Sequence, residues 1–297
     1  MRRILLISNP AAARTHVSRA HEVAAVIRAA GCEVDVVFTD APGGAVDLAR
    51  AGVESGVDAI AVYGGDGTMM QTVEGMRPCD IPLGLIPGGT GNLLARNLGL
   101  PQRLRDAALV VATGSPRKID LGQWQSEGRT RYFAVACGAG YDAQLMAGTT
   151  GPAKRRWGMG AYVQYVVRTM GTIRPLPFNV TVDGEARVLQ AALVVVANCR
   201  TIVPPFLGLG PDIRYDDGWL NVVALRARGM KHAAAVVFKL LRNAADDADI
   251  VRLRGRDVRI EADPVQPVQL DGEPDGRTPF RATILPKGLK ILMPARS

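Results

Sequence analysis

Residues 58–76 read DAIAVYGGDGTMMQTVEGM, and the change of pattern inside this stretch decides the fold. Asp58 to Tyr63 is short, apolar and rich enough in β-branched residues to be a strand of a parallel sheet covered on both faces. At Gly64 the pattern breaks. Gly64, Gly65 and Gly67 let the backbone turn sharply and come close to a ligand, and Asp66 sets one carboxylate in the middle of that turn. Two readings follow from this stretch alone: a structural turn or a binding loop. Thr68 and Gln71 have the spacing of a capping box, which predicts a helix opening at Thr68.

Working outward, the chain up to Gly114 alternates strand and helix. Strands are expected at Arg3–Ser8, Glu33–Phe38, Asp58–Tyr63 and Leu83–Ile86, and helices over 17–30, 44–54, 68–77, 90–98 and 102–113. That alternation predicts an α/β domain built on a parallel sheet. Beyond Gly114 the rhythm changes to paired strand-like runs, Lys118–Trp124, Arg131–Cys137, Asn179–Val182 and Val188–Ala197, with more from Trp219 onward. A mostly antiparallel β domain with two inserted helices, near 154–173 and 230–244, is expected there. The boundary falls near residue 120, without a low-complexity linker or an internal repeat, and the cleft between the domains is the expected site.

A chain of 297 residues with 47% apolar and 22% charged residues has ordinary globular composition. Its 36 Lys and Arg against 28 Asp and Glu give a net charge of +8. Such an excess suits an acidic partner: nucleotide phosphates, nucleic acid or an anionic membrane face. Nucleic acid is disfavoured, because no recognition motif is present and aromatics make up 5% of the residues. Cys32, Cys79, Cys137 and Cys199 lie far apart with no Cys-x-x-Cys pair, which reads as reduced thiols of a cytoplasmic protein. The opening MRRILLISNPAAA has an apolar core, Ile4–Ile7, too short for a signal peptide, and Asn9-Pro10 breaks it. No segment approaches the roughly 20 apolar residues that span a bilayer; the longest run, Ala191–Ala197, is expected to be one strand. His16, His21 and His232 show no metal or triad spacing.

Neither G-x-x-x-x-G-K-[ST] nor G-x-G-x-x-G occurs. Instead a second glycine turn, Ile86-Pro87-Gly88-Gly89-Thr90-Gly91-Asn92, follows a strand and opens a helix, as the first does. In a parallel sheet both turns emerge at the carboxyl edge, where open α/β sheets bind ligands. Their N–H groups and the positive ends of the following helices suit a phosphate. Asp66 among such amides suits a divalent cation, since Mg²⁺ is usually held by one or two carboxylates plus phosphate oxygens.

Four motifs in order, GGDGT at 64–68, PGGTGNLLARNLGLP at 87–101, YDDGWLNV at 215–222 and LDGEP at 270–274, resemble the diacylglycerol kinase catalytic-domain family of lipid kinases. That group includes bacterial diacylglycerol kinase-like enzymes and the sphingosine and ceramide kinases. The resemblance implies a Rossmann-like ATP-binding domain over 1–120 and a β-sandwich lipid-substrate domain over 121–297, with the last strand free to return to the first domain. It implies nucleotide contacts at Asn9, Thr39, Gly64, Gly65, Asp66, Gly67, Thr68, Met69, Met70, Gly88, Gly89 and Thr90. Asn9 also suits a plain turn cap. Where the family has a glycine soon after Asn-Pro, this chain has Ala11-Ala12-Ala13.

On residue chemistry alone, Asp271-Gly272 with Pro274-Asp275-Gly276 predicts a hairpin turn between strands 265–270 and 280–285. The resemblance implies that Glu273 is the proton acceptor, a role compatible with a turn. Asp66 is the alternative base. The resemblance further implies an auxiliary Mg²⁺ held by the Asp217 carboxylate and backbone carbonyls near Arg214 and Trp219, with Asp271 a further acidic candidate.

The implied activity is ATP- and Mg²⁺-dependent transfer of the γ-phosphate to a lipid hydroxyl, with peripheral contact on an anionic membrane face. Residues 154–175, KRRWGMGAYVQYVVRTMGTIRP, form a basic amphipathic pattern that reads as a core helix or an interfacial one. The apolar loop Val203–Leu209 is another candidate for lipid contact. Arg226, Arg228, Lys231, Arg252, Arg254, Arg256 and Arg259 serve either membrane attraction or surface solubility. Two rivals stand: a kinase of a soluble alcohol such as NAD, and a nucleotide-binding module without catalysis. Diacylglycerol, monoacylglycerol, a sphingoid base, ceramide and phosphatidylglycerol all remain open as the lipid, and oligomeric state has no signature.

Overall fold

The computed structural model describes residues 1–12, 14–77, 79–140, 174–203, 207–242 and 247–295. They form two compact units, one of residues 1–119 with 287–297 and the other of residues 120–286.

The first unit follows from its buried strands. β1 (Arg3–Ser8), β2 (Glu33–Phe38), β3 (Ala59–Gly64) and β4 (Leu83–Pro87) pair in the order β2-β1-β3-β4, all parallel. Every residue of β3 is buried, as a central strand covered on both faces requires. α1 (Val17–Ala29) and α5 (Leu104–Thr113) bury Val23, Ile27, Ala108 and Val111 with Ile4, Leu6 and Ile86. α2 (Gly44–Glu54) and α3 (Asp66–Met76) pack against each other so closely that a Cβ on Gly75 would lie 2.1 Å from the carbonyl oxygen of Val46. Gly75→Ala is therefore expected to force the two helices apart and to cost about 1–3 kcal/mol. A urea titration reads this directly, and an unchanged midpoint would refute the close contact.

Helix α3 opens at Asp66, not at Thr68. Gly65 is its extended N-cap and supplies no side-chain hydrogen bond, so Thr68 and Gln71 form no capping box. The Thr68 hydroxyl is engaged instead by Asn9, whose Nδ2 donates to it at 3.0 Å. A short α4 (Leu93–Asn97) follows the second glycine turn.

The second unit is an antiparallel sandwich. One sheet joins β8 (Leu176–Val182), β9 (Glu185–Ala191), β15 (Asp257–Ala262) and the first part of β18 (Phe280–Met293), with β5 (Ser115–Ser126) and β6 (Arg129–Phe133) beside them. The other runs β14-β13-β10-β7-β16-β17. Its strands are β7 (Ala136–Gly140), β10 (Leu193–Ala197), β13 (Leu220–Leu225), β14 (Ile250–Gly255), β16 (Pro267–Leu270) and β17 (Glu273–Arg277). Trp124, Phe133, Phe178, Val194, Val222, Ile260 and Phe280 fill one core. A helix, α6 (Gly229–Leu241), joins β13 to β14, and β11 (Thr201–Val203) pairs with β12 (Leu207–Gly208) in a separate two-stranded sheet. Residues 287–293 of β18 belong to the first unit, where Ile291 aligns with Leu83 in a parallel pairing with β4.

Two runs expected as single strands are each divided between the two sheets. Arg131–Cys137 breaks at Ala134-Val135, and Val188–Ala197 breaks at Ala192. A strand changing sheets keeps its apolar composition while its pairing stops. Residues 273–277, expected as turn, form the edge strand β17, where proline and glycine are tolerated. The helix expected near 154–173 and the loop tip at 204–206 lie outside the described residues.

Candidate active site

The strand order sets Thr39, Asn9, the 64–68 segment and the 88–91 turn side by side along the carboxyl edge of the parallel sheet. Thr39 follows β2 and donates its N–H to the Ser8 carbonyl at 3.0 Å. Asn9 does two things at once. Its Oδ1 accepts the Ala11 N–H at 2.9 Å, closing the turn after β1, while its Nδ2 reaches Thr68.

The two glycine turns are built onto one another. The Gly88 N–H donates to the Gly64 carbonyl at 2.8 Å, and the Arg14 N–H donates to the Gly88 carbonyl at 3.0 Å. A Cβ on Gly89 would lie 2.7 Å from the Cα of Gly65, and one on Gly88 would lie 2.5 Å from Thr15 Cγ2. Packing between the turns thus already demands these glycines. Asn92, to which no role was given in the sequence reading, locks the second turn. It takes a left-handed φ of 49°, accepts the Gly89 N–H at 2.9 Å and donates to the Gly89 carbonyl at 3.0 Å. Asparagine tolerates this conformation, and that was the available signal.

Asp66 links the two turns. It occupies the first turn of α3, half-buried, and its Oδ1 accepts the Leu93 N–H, at the start of α4, at 2.6 Å. Burial is the largest influence on the carboxyl and pushes its pKa up to about 6, against backbone N–H groups including those of Leu93, Leu94 and Asn92, which pull it down. A shallow hollow, open to solvent, lies here and is lined by Gly64, Gly65, Asp66, Met69, Pro87 and Asn92 among others. Met69 and Met70 are buried, Thr90 is exposed, and the N-terminus of α3 at Gly67 and Thr68 has no side-chain cap. An uncapped helix N-terminus beside a half-buried carboxylate suits a phosphate with its cation, so these residues fit a Mg²⁺-nucleotide.

In the second unit, Asp271 and Gly272 form the two-residue turn between β16 and β17, with φ of 48° and 84°. This is the conformation that Asp-Gly hairpins adopt. The Asp271 carboxylate accepts the N–H groups of Ala134 (2.7 Å), Val135 (2.8 Å) and Ala136 (2.9 Å). It anchors the crossing between sheets. Glu273 follows the turn at once and is exposed.

The Asp217 carboxylate accepts the Trp219 N–H at 3.2 Å and pairs with Arg254 at 2.7 Å. Arg214 is exposed and pairs with Asp216 at 3.1 Å. Asp120 and Asn198, both absent from the motifs, hold this loop: Asp120 accepts the Gly218 N–H at 2.6 Å, and Asn198 donates to the Asp120 carbonyl at 3.0 Å. Among the described residues no three His, Cys, Asp or Glu side chains gather as a metal set. Several of the second unit's basic residues are structural: Arg254 and Arg256 lie over Trp219 at 5.1 and 4.6 Å, and Arg259 pairs with Glu261 at 2.7 Å. Burial raises the pKa of the Cys137 and Cys199 thiols well above the usual range.

Residues 3–124 match the diacylglycerol kinase catalytic domain, and residues 135–293 match the YegS C-terminal NAD kinase beta sandwich-like domain. The chain belongs to the diacylglycerol kinase catalytic-domain family. A diacylglycerol kinase of Mycobacterium tuberculosis is 29% identical over 300 residues, covering 98% of this chain and 95% of that protein. A probable YegS-like lipid kinase of Chromohalobacter salexigens is 30% identical over 280 residues, covering 91% and 87%. A putative diacylglycerol kinase of Bacillus anthracis has the same fold, with a TM-score of 0.81 at 26% identity over 98% of this chain and 97% of that one. Membership places the chain among kinase-family phosphotransferases, which use a nucleotide donor. Among the described residues no helix is long and apolar enough to cross a membrane.

Proposed function

We propose that this protein is a lipid kinase that transfers the γ-phosphate of ATP, with Mg²⁺, to a lipid hydroxyl, diacylglycerol being the first acceptor to test. The observation that carries the reading is Asp66, held between two interlocked glycine turns at the carboxyl edge of a parallel sheet. Phosphoryl transfer asks a protein mainly to position the reactants and to stabilise charge. The amides of the two turns and the start of α3 bind the phosphates, and Asp66 binds the cation directly or through water. Mg²⁺, when bound, neutralises charge on the phosphate oxygens. Glu273 accepts the proton of the lipid hydroxyl.

A kinase for a soluble alcohol would need acceptor contacts of another kind, and the Gly-Ser-Thr-Ala-Tyr type segment expected for NAD is absent. The test is transfer of labelled phosphate from ATP to a panel of lipids in mixed micelles and to NAD. Glu273→Gln is expected to slow lipid phosphorylation by about 10²-fold while ATP binding and the melting temperature stay as in the wild type. Full activity in that variant would remove Glu273 from the chemistry. ATP binding with no product from any acceptor would favour a module without catalysis.

A further inference from the structure

Helix α6 has two apolar faces, and among the described residues only one of them is covered. Ala233, Val236 and Leu240 are buried at 6%, 2% and 2% exposure. Phe238 and Leu241, at 53% and 50%, stand out in solvent on the opposite side. Lys231, Ala234, Ala235 and Arg242 are also exposed, and at 3.6 residues per turn they share that side, within roughly a third of the circumference. The exposed face is thus an apolar patch with a cation at each end. Arg242 lies over the Phe238 ring at 4.4 Å. Arg228, just before the helix, is exposed as well. Among the described residues the nearby acids do not offset these charges, because Lys239 takes up Asp247 and Asp249, and His232 also pairs with Asp249.

We infer that this face of α6 is a docking surface for an anionic lipid bilayer. Apolar side chains flanked by cations that can reach headgroups are the pattern of a helix lying in a membrane interface. The charge argues against a second copy of the chain as the occupant. Pairing two such helices antiparallel sets Lys231 against Arg242, and pairing them parallel sets each cation against its own kind. An anionic leaflet meets all of these charges with the opposite sign. The inference rests on the lipid-kinase reading for its purpose only.

The test is co-sedimentation of the full chain with phosphatidylcholine vesicles, with and without phosphatidylglycerol. Wild-type protein is expected to bind the vesicles that contain phosphatidylglycerol and to be released by high salt. Phe238→Glu with Leu241→Glu, and Lys231→Glu with Arg242→Glu, are each expected to weaken binding by about tenfold or more, with melting temperatures and turnover of a short-chain soluble diacylglycerol unchanged. Absent wild-type binding, or equal binding by both variants, would overturn the inference. So would a drop from dimer to monomer mass by light scattering in either variant, which would make the face a contact between copies. If no lipid is phosphorylated while vesicle binding behaves as described, the kinase reading falls and the docking surface stands.

Discussion

Asp66→Asn is expected to slow phosphoryl transfer by about 10³-fold, the scale on which loss of a charge-stabilising group at a reacting phosphate is felt. The amide preserves the side chain's volume and one acceptor for the Leu93 N–H, so the fold survives while the carboxylate's charge is lost. The same variant reports on the electrostatics of the wild type. A folded pKa of about 6 lies above the roughly 3.9 of an unfolded aspartate, so the folded chain binds this proton more tightly than the unfolded one. The stability that results is fully present below about pH 4 and is lost as the pH rises through about 6. At 1.36 kcal/mol per unit it amounts to about 3 kcal/mol. Urea titrations at pH 4 and pH 7.5 should show wild type losing that much relative to Asp66→Asn. Activity runs the other way, because cation binding uses the ionised form: turnover rises with pH through the same range, and higher Mg²⁺ moves the rise to lower pH. A variant within tenfold of wild-type activity would take Asp66 out of the site.

How legible this molecule was depends on how local each determinant is. β1, β2 and α2 have the bounds expected from pattern, and β1 is the continuous apolar run that a parallel strand covered on both faces makes. The start of α3 did not follow its local signal. Thr68 has capping chemistry, but Asn9, 59 residues earlier, recruits its hydroxyl, and Gly65 opens the helix with no side chain. The corners at Ala134-Val135 and Ala192 carry no turn residue at all. The first is bent by an aspartate more than 130 residues away, which no window of sequence connects to it. In the site, the glycine turns were visible as motifs, but the reason for Gly88 and Gly89 was not. Their packing against Thr15 and Gly65 exists only once the strands are adjacent. Asn92 escaped for the same reason, since its importance lies in a left-handed backbone within an otherwise familiar turn.

Asp271→Ala is expected to cost about 3–5 kcal/mol of stability, the largest loss predicted from a single truncation in this chain. Both carboxylate oxygens are engaged by backbone amides, and a hydrogen bond to a charged group contributes about 1.5–3 kcal/mol. The cradle has a second half. The Asp271 N–H donates to the Ala136 carbonyl at 2.9 Å, the N–H groups of Asn198 and Cys199 donate to the Val135 carbonyl at 2.8 and 2.9 Å, and Asn198 Nδ2 donates to the Ala134 carbonyl at 2.8 Å. Residues 134–136 therefore cross between the sheets with their polar backbone satisfied. Removing the carboxylate orphans three buried N–H groups at once, with no side chain left to answer them. Asp271→Asn keeps Oδ1 for Val135 and Ala136 but turns a donor toward the Ala134 N–H, so about 2–3 kcal/mol is expected. Trp124 lies in the same core, and its fluorescence through a urea titration reads both variants. Glu273→Gln, two residues along on an exposed strand, should leave that titration unchanged while slowing turnover by about 10²-fold. The two acids of one hairpin thus separate cleanly: a loss below 1 kcal/mol in Asp271→Ala would refute the anchor, and a large loss in Glu273→Gln would make Glu273 structural too.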